Sequence, residues 1–275
     1  MSYLKPAELL PLLADAGAQK ISMSIHKVMA RSFMAGAILA VSAVFAITVS
    51  VQTGYPIIGA ILFPIGFCLL NLLQYDLLTG AFVLGPLAWL HNEPNITLRR
   101  ILKNWALVFV GNFIGACFVA YLTAIVFTYG FTTAPNEVGE VIAEIGKNRT
   151  VGYKDHGAGG MLTIFVRGVL CNWMVSLGVI GAYIATSVNG KITIMWLPIM
   201  LFFGMAFEHS IVNMYLFPAA LMLGGQFSIS DYLLWNELPV VLGNLVGGML
   251  LTGLPLYISH GNKTARPLHP LKKVL

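Results

Sequence analysis

The sequence predicts an all-α membrane protein with six transmembrane helices, built as two inverted three-helix repeats in which the second and fifth helices are interrupted. Three observations predict it. Of the 275 residues 57% are hydrophobic and only 10% are charged, with a mean hydropathy of +0.81, whereas a soluble domain of this length carries far more charge. Apolar windows long enough to cross a bilayer, which takes roughly 20 residues, recur near Arg31 to Ser50, Tyr55 to Leu90, Ile101 to Tyr129, Met161 to Thr186, Ile194 to Leu223 and Leu238 to Ser259. The second and fifth windows are too long for one crossing and carry breaks: Pro64 and Gln74 to Thr79 in the one, Pro198, Glu208 to Asn213 and Pro218 in the other.

Ahead of the first span, residues 1–29 read as a cytoplasmic amphipathic N-terminal helix. Over Lys5 to Gln19 the side chains Leu9, Leu10, Leu12, Leu13 and Ala16 gather on one side, the pattern of a helix lying along an interface. Glu8, Asp15 and the lack of a long apolar core speak against a signal peptide. Residues 30–259 form the six-span pore domain and residues 260–275 a basic cytoplasmic tail. Lys5, Lys20, Lys27 and Arg31 precede the first span, Arg99, Arg100 and Lys103 flank the second connection, Lys191 sits in the fourth, and Lys263, Arg266, Lys272 and Lys273 follow the last. The first and fifth connections hold no Lys or Arg, and the third dilutes Lys147, Arg149 and Lys154 with Glu137, Glu140, Glu144 and Asp155. Positive residues accumulate on the cytoplasmic side, so both termini are expected there, in a multi-pass protein of a prokaryotic cytoplasmic membrane. The basic tail reads as topogenic rather than as a nucleic-acid patch. Cys68, Cys117 and Cys171 each lie inside an apolar span and read as small buried residues rather than a disulfide framework or a metal set.

A weak duplication underlies the two breaks. Tyr75 to Gly80 corresponds in placement to Glu208 to Asn213, and Gly111-Asn112-x-x-Gly115 follows Asp76 by about 36 residues as Gly243-Asn244-x-x-Gly247 follows His209 by about 35. Each half then has three spans with the middle one broken. An odd number of spans per repeat gives the halves opposite orientations and brings the two breaks to a common depth. Broken helices are tolerated in a bilayer only where the freed backbone is buried in protein or lines a wet cavity, which points to a pore between them. The paired glycines read as close helix contacts. Asn112 and Asn244 need partners at that depth, and either tie a broken helix to its neighbour or face the pore.

The residues resemble the formate/nitrite transporter family over about Lys5 to Ser259. The motifs are Glu208-His209-Ser210-Ile211-Val212-Asn213-Met214, Leu170-Cys171-Asn172-Trp173, Asp76-Leu77-Leu78-Thr79-Gly80, and Lys103-Asn104-Trp105 with Gly111-Asn112. The resemblance implies an aquaporin-like fold, assembly as a homopentamer, and one pore per protomer for small monovalent anions. It implies that His209 is the central pore histidine, with Thr79, Asn172 and Asn244 along the substrate path. Phe63 and Phe202 fall at the outer hydrophobic constriction, and Phe67, Leu77 and Leu78 at the inner one. Two departures bear on substrate preference. The family's pore lysine position holds His156, with Lys154 two residues earlier, which makes this pair the expected anion entrance, and the loop before Gly80 reads Tyr75-Asp76-Leu77-Leu78-Thr79.

An anion entering a narrow apolar passage loses hydration worth, ideally, on the order of tens of kcal/mol. Protein groups must replace the water, or a proton must neutralise the charge. Formate and nitrite are conjugate bases of weak acids, and histidine, with a reference pKa of about 6.5, suits passage assisted by hydrogen bonding or protonation. Glu208 reads as a structural hydrogen-bonding group. Arg167 reads as a structural partner ahead of an anion collector, and Asp76 as a bridge or a helix cap. Nitrite is expected first and formate second, with hydrosulfide, bicarbonate or a neutral solute as alternatives. No cofactor is predicted, nor an enzyme: a metal would need two further His or Cys residues beside His209, yet His26, His91, His260 and His269 fall near span ends and His156 on the opposite face.

Overall fold

The computed structural model describes residues 3–261, so Lys263, Arg266, Lys272 and Lys273 of the expected tail lie outside the described residues. The described chain is helical: α1 Pro6–Ile21, α2 Ile25–Thr53, α3 Pro56–Leu62, α4 Pro64–Leu72, α5 Leu78–Leu90, α6 Leu98–Phe127, α7 Glu137–Asn148, α8 Val151–Lys154, α9 Gly157–Ile184, α10 Val188–Gly204, α11 Ser210–Met222 and α12 Ile229–His260. Four of these, α2, α6, α9 and α12, are long and apolar enough to cross a membrane alone. The interrupted second and fifth spans are α3 and α4 with α5, and α10 with α11. Two π-helical turns, Leu233–Glu237 and Met249–Gly253, loosen α12, a device that α6, its counterpart in the first half, does without.

Proline and backbone sign mark the boundaries. Gly54, at φ +71°, ends α2 in the left-handed region that glycine adopts without strain. Pro56 opens α3 and Pro64 opens α4, in the first turn where a missing N–H costs nothing. At the junction of α3 and α4, Ser42 of α2 donates its hydroxyl proton to the Phe63 carbonyl and accepts the Gly66 N–H, so the kink is tied to the first span.

Two segments depart from a simple six-helix picture. The amphipathic α1 buries Leu9, Leu10 and Leu13 and packs on α5 rather than resting on a surface alone, with Gly17 against the Leu84 carbonyl. Leu12 and Ala16 of the expected apolar side turn instead toward a cavity at this end of the molecule. The charged third connection contains a formed helix, α7. Asn136 caps it by accepting the Gly139 N–H at 3.0 Å, and Glu137, Glu140 and Lys147 sit at the ends that its dipole favours. Its Val138, Ile142 and Gly146 are buried, with Gly146 against Ala220 and Phe227.

The closest packing pairs α2 with α6 and α9 with α12, one pair in each half. A Cβ at Gly115 would overlap the Phe33 carbonyl oxygen, and a Cβ at Gly247 that of Val169. Backbone cannot yield as a flexible side chain does. Gly115→Val and Gly247→Val are therefore expected to destabilise the fold by more than the ordinary overpacking cost of about 1–3 kcal/mol. Gly152→Ala, whose new Cβ meets nothing within 4 Å, serves as the unaffected control. Thermal unfolding in detergent with size-exclusion profiles reads the difference.

Candidate functional site

The two breaks are built alike, residue for residue. Helix α4 ends with Gln74 at φ +58°, the Tyr75 N–H reaching back to the Leu70 carbonyl at 2.8 Å and the Gln74 N–H to that of Asn71 at 3.0 Å. Helix α10 ends with Ala206 at φ +51°, Phe207 bonding to Phe202 and Ala206 to Phe203, both at 3.0 Å. This is the Schellman closure of a helix, made here without glycine. It fixes the register of the repeat: Asp76 is equivalent to Glu208 and Leu77 to His209, one residue off the alignment by placement that set Tyr75 beside Glu208.

One amide braces each break. Asn112 donates to the carbonyls of Ser32 (2.8 Å) and Asp76 (2.9 Å) while its Oδ1 accepts the Leu78 N–H (3.0 Å). Asn244 donates to Gly168 (2.8 Å) and Glu208 (3.0 Å) and accepts from Ser210 (3.0 Å). Both side chains are fully buried. Of the two parts open to these asparagines, tying the broken helix is the one their geometry shows. Asn172, also fully buried, donates to the carbonyls of Thr79 (3.2 Å) and Asn244 (2.6 Å), joining the first break to the residue that braces the second.

Each break also carries a carboxylate held by charged or polar side chains. Asp76 pairs with Lys20 and, at 2.9 Å, with Arg31, whose guanidinium also donates to the Gln74 carbonyl. Burial pushes the Lys20 ammonium below its ordinary pKa, and Asp76 opposes that shift. Glu208 accepts from Tyr153 (3.1 Å) and from Asn213 (3.0 Å), with Arg149 3.6 Å away. Burial, with Glu208 second, raises the Tyr153 hydroxyl to about 12, so it remains a donor. Arg167 donates to that hydroxyl at 2.7 Å. Asn104 and Asn236 repeat the symmetry, donating to the carbonyls of Lys20 and Arg149 respectively.

Between the breaks stands His209, 2% exposed. It is the N-cap of α11, and its Nδ1 accepts the Val212 N–H at 3.3 Å. An acceptor nitrogen carries no proton, so the hydrogen bond assigns the neutral tautomer with its proton on Nε2. That nitrogen lies 3.3 Å from Thr79 Oγ1. Phe202 stacks on the imidazole at a centroid distance of 5.6 Å, and Phe63 meets Phe202 edge-on at 5.6 Å and Phe203 face-on at 4.0 Å.

A cavity borders each break. The inner one, of about 360 Å³, opens beside α1 and is lined by Phe67 and Leu77 together with Lys20, Arg31, Asp76 and Lys191. The outer one, of about 500 Å³, is lined by Phe203, Val212, Leu216 and residues of α2, α3 and α7. By the register of the breaks, Val212 and Leu216 are equivalent to Gly80 and Leu84, which line the inner cavity. Leu78 is buried in the first turn of α5.

The charged side chain lining the outer cavity is Arg149, not Lys154 or His156. Lys154 pairs at 2.8 Å with Asp231, and His156 is exposed just ahead of α9. Arg149 and Phe203 escaped sequence reasoning. The spacing from Asn104 to Asn112, repeated from Asn236 to Asn244, was the signal for the bracing polar groups; nothing in the sequence paired Arg149 with Lys20.

Comparison with known proteins gives consistent matches. A family model described as formate/nitrite transporter matches residues 7–258. A relative named probable formate transporter, from Methanothermobacter thermautotrophicus, is 33% identical over 265 residues, covering 90% of this chain and 94% of its own. The formate channel FocA of Escherichia coli (strain K12) is 27% identical, covering 93% and 94%. A solved FNT family ion channel has a TM-score of 0.79 at 21% identity, covering 91% of this chain and 98% of that one. A pentameric formate channel with formate bound has a TM-score of 0.70 at 22% identity, covering 86% and 97%. The two structures share the fold.

Replacing either bracing asparagine leaves buried backbone groups without partners, at about 1–3 kcal/mol for each such group. Asn112→Leu and Asn244→Leu are expected to lower thermal stability by similar amounts. Unequal losses, one near zero, would mean that only one break depends on its amide.

Proposed function

The chain belongs to the formate/nitrite transporter family, and from that premise we propose that it is a membrane channel for small weak-acid anions in which His209 and Thr79 form the central recognition site. The observation that carries the reading is the contact of His209 Nε2 with Thr79 Oγ1 at 3.3 Å, which joins two breaks that each border a cavity, with Phe202 against the imidazole. The paired donors replace water for an anion that has shed its shell. Phe63 and Phe202 act as the outer constriction, Phe67, Leu77 and Leu78 as the inner one, and Asn172 and Asn244 hold the path in shape.

Hydrogen bonding by a neutral imidazole is favoured over proton donation. A proton on Nδ1 would set that N–H against the Val212 N–H that it now accepts, so His209 ionises only if the cap of α11 opens. Formate takes precedence over nitrite, with the names of the relatives as support. Arg149 supplies positive charge within the outer cavity, while Lys154 and His156 contribute potential at its mouth. The names also support a pentamer, as do the exposed apolar side chains along α6, among them Phe118, Tyr121 and Val126. The shared cavity of Lys20, Arg31 and Lys191 supports cytoplasmic termini by the positive-inside rule.

Flux into proteoliposomes tests the whole reading: formate and nitrite are expected to pass and glycerol to be excluded. Hydrosulfide and bicarbonate belong in the same panel, and passage of water or glycerol alone would overturn the anion assignment. Thr79→Val removes a hydroxyl donor to a charged group, worth about 1.5–3 kcal/mol, and is expected to cut formate flux on the order of 10- to 100-fold.

His209→Asn keeps an oxygen that can cap the Val212 N–H and an amide that can donate. It is expected to retain assembly and thermal stability while formate flux falls at least about tenfold, since the shorter donor no longer reaches the site of Nε2. Unchanged flux would reduce His209 to a helix cap.

A further inference from the structure

The repeat makes the two cavities equivalent in construction, yet they differ in chemistry. Lys20, Arg31, Asp76, Gln74, Asn104 and Lys191 give the inner cavity a polar wall. In the outer cavity Arg149 stands among Val141, Ile145, Phe203, Val212 and Leu216, with Ser50 its other polar side chain. An anion with no alkyl group uses only the first feature of that wall. Its volume of about 500 Å³ lies within the range of small-molecule sites, roughly 300–1,000 Å³, which combine apolar walls with a few placed polar groups.

Arg149 is held in place at the wall of this cavity. Its backbone is fixed, the N–H bonding to the Ile145 carbonyl at 3.0 Å and its own carbonyl accepting from Asn236 at 2.9 Å. Glu208, at 3.6 Å, is its ion-pair partner among the described residues. That carboxylate is already served by Tyr153 on one oxygen and by Asn213 and Asn236 on the other. The guanidinium therefore keeps donors to spare, in the planar fork that matches a second carboxylate, and Glu208 retains neutral donors if Arg149 is removed.

We infer that the outer cavity is a binding site for monocarboxylates bearing a short alkyl chain, of the butyrate to hexanoate class, with the carboxylate on Arg149 and the tail against Val141, Ile145, Val212 and Leu216. It deepens the transport reading by naming a ligand class for one mouth of the pore, but the binding itself does not require transport. Burial of each further methylene strengthens binding by about fourfold.

The test is saturation-transfer NMR of butyrate and hexanoate against the full-length protein in lipid nanodiscs, with the signal of empty nanodiscs subtracted. Hexanoate is expected to bind on the order of tenfold more tightly than butyrate. Arg149→Gln is expected to weaken both at least tenfold, and Val141→Ser to flatten the dependence on chain length. Thermal unfolding confirms that both variants are folded. Wild-type affinity in Arg149→Gln, indifference to chain length, or a signal no greater than that of empty nanodiscs would overturn the site. Formate flux is measured on the same protein. Absence of flux together with Arg149-dependent binding would sink the transport reading and support the site.

Discussion

A helix cannot be broken inside a bilayer without finding partners for the backbone groups it frees, and every other feature of this protein follows from how two asparagines meet that demand. Each unsatisfied N–H or carbonyl in hydrocarbon costs several kcal/mol. Asn112 and Asn244 each satisfy three such groups at once, two carbonyls and the first N–H of the resumed helix. Because the carbonyls come from different spans, the same bonds that close the break also lock the half-helices to their neighbours. The position of α5 and α11, and so of every side chain on their first turns, is set by these amides.

That placement determines what His209 can do. As the N-cap residue it must give Nδ1 to the Val212 N–H, which leaves the proton on Nε2 and aims it at Thr79. The chemistry of the proposed pore centre is thus a consequence of helix capping. The imidazole is constrained to donate a hydrogen bond from a neutral ring, and any role as an acid is tied to undoing a structural bond.

Much of this was legible in the chain. The over-long second and fifth spans gave the breaks, and Gly-Asn-x-x-Gly at matching distances gave the repeat, because backbone closeness and buried amides leave residue types that do not drift freely. The register by placement was off by one residue, although the offset from Asn112 to Asn244 is the one that relates Asp76 to Glu208; the left-handed residue that closes each helix, Gln74 and Ala206, is not glycine in either break and so marks neither boundary in the sequence. For Asn244 the sequence left the brace and the pore lining equally open, because its acceptors are backbone groups that no residue type marks. The contact of His209 with Thr79 spans 130 residues, and only the fold brings them together. Arg149 was hidden for a simpler reason: its segment reads as a mixed-charge connection, and α7, which carries it to the outer cavity, has little apolar sequence.

The two halves are alike where they hold the fold and unlike at the proposed pore centre. Asp76 and Glu208, Asn112 and Asn244, Gln74 and Ala206 all serve the breaks in the same way. Leu77 stands opposite His209 in the repeat, and Ile211 opposite Thr79. Two histidines related by the pseudo-symmetry would place two like-charged groups at one centre whenever both ionised, and two leucines would offer an anion nothing. With a histidine from the second half and a threonine from the first, the centre has two donors of different kind and no fixed charge. Duplication can supply a framework of opposed half-helices, but only departure from the duplicate can place a single polar site on its axis.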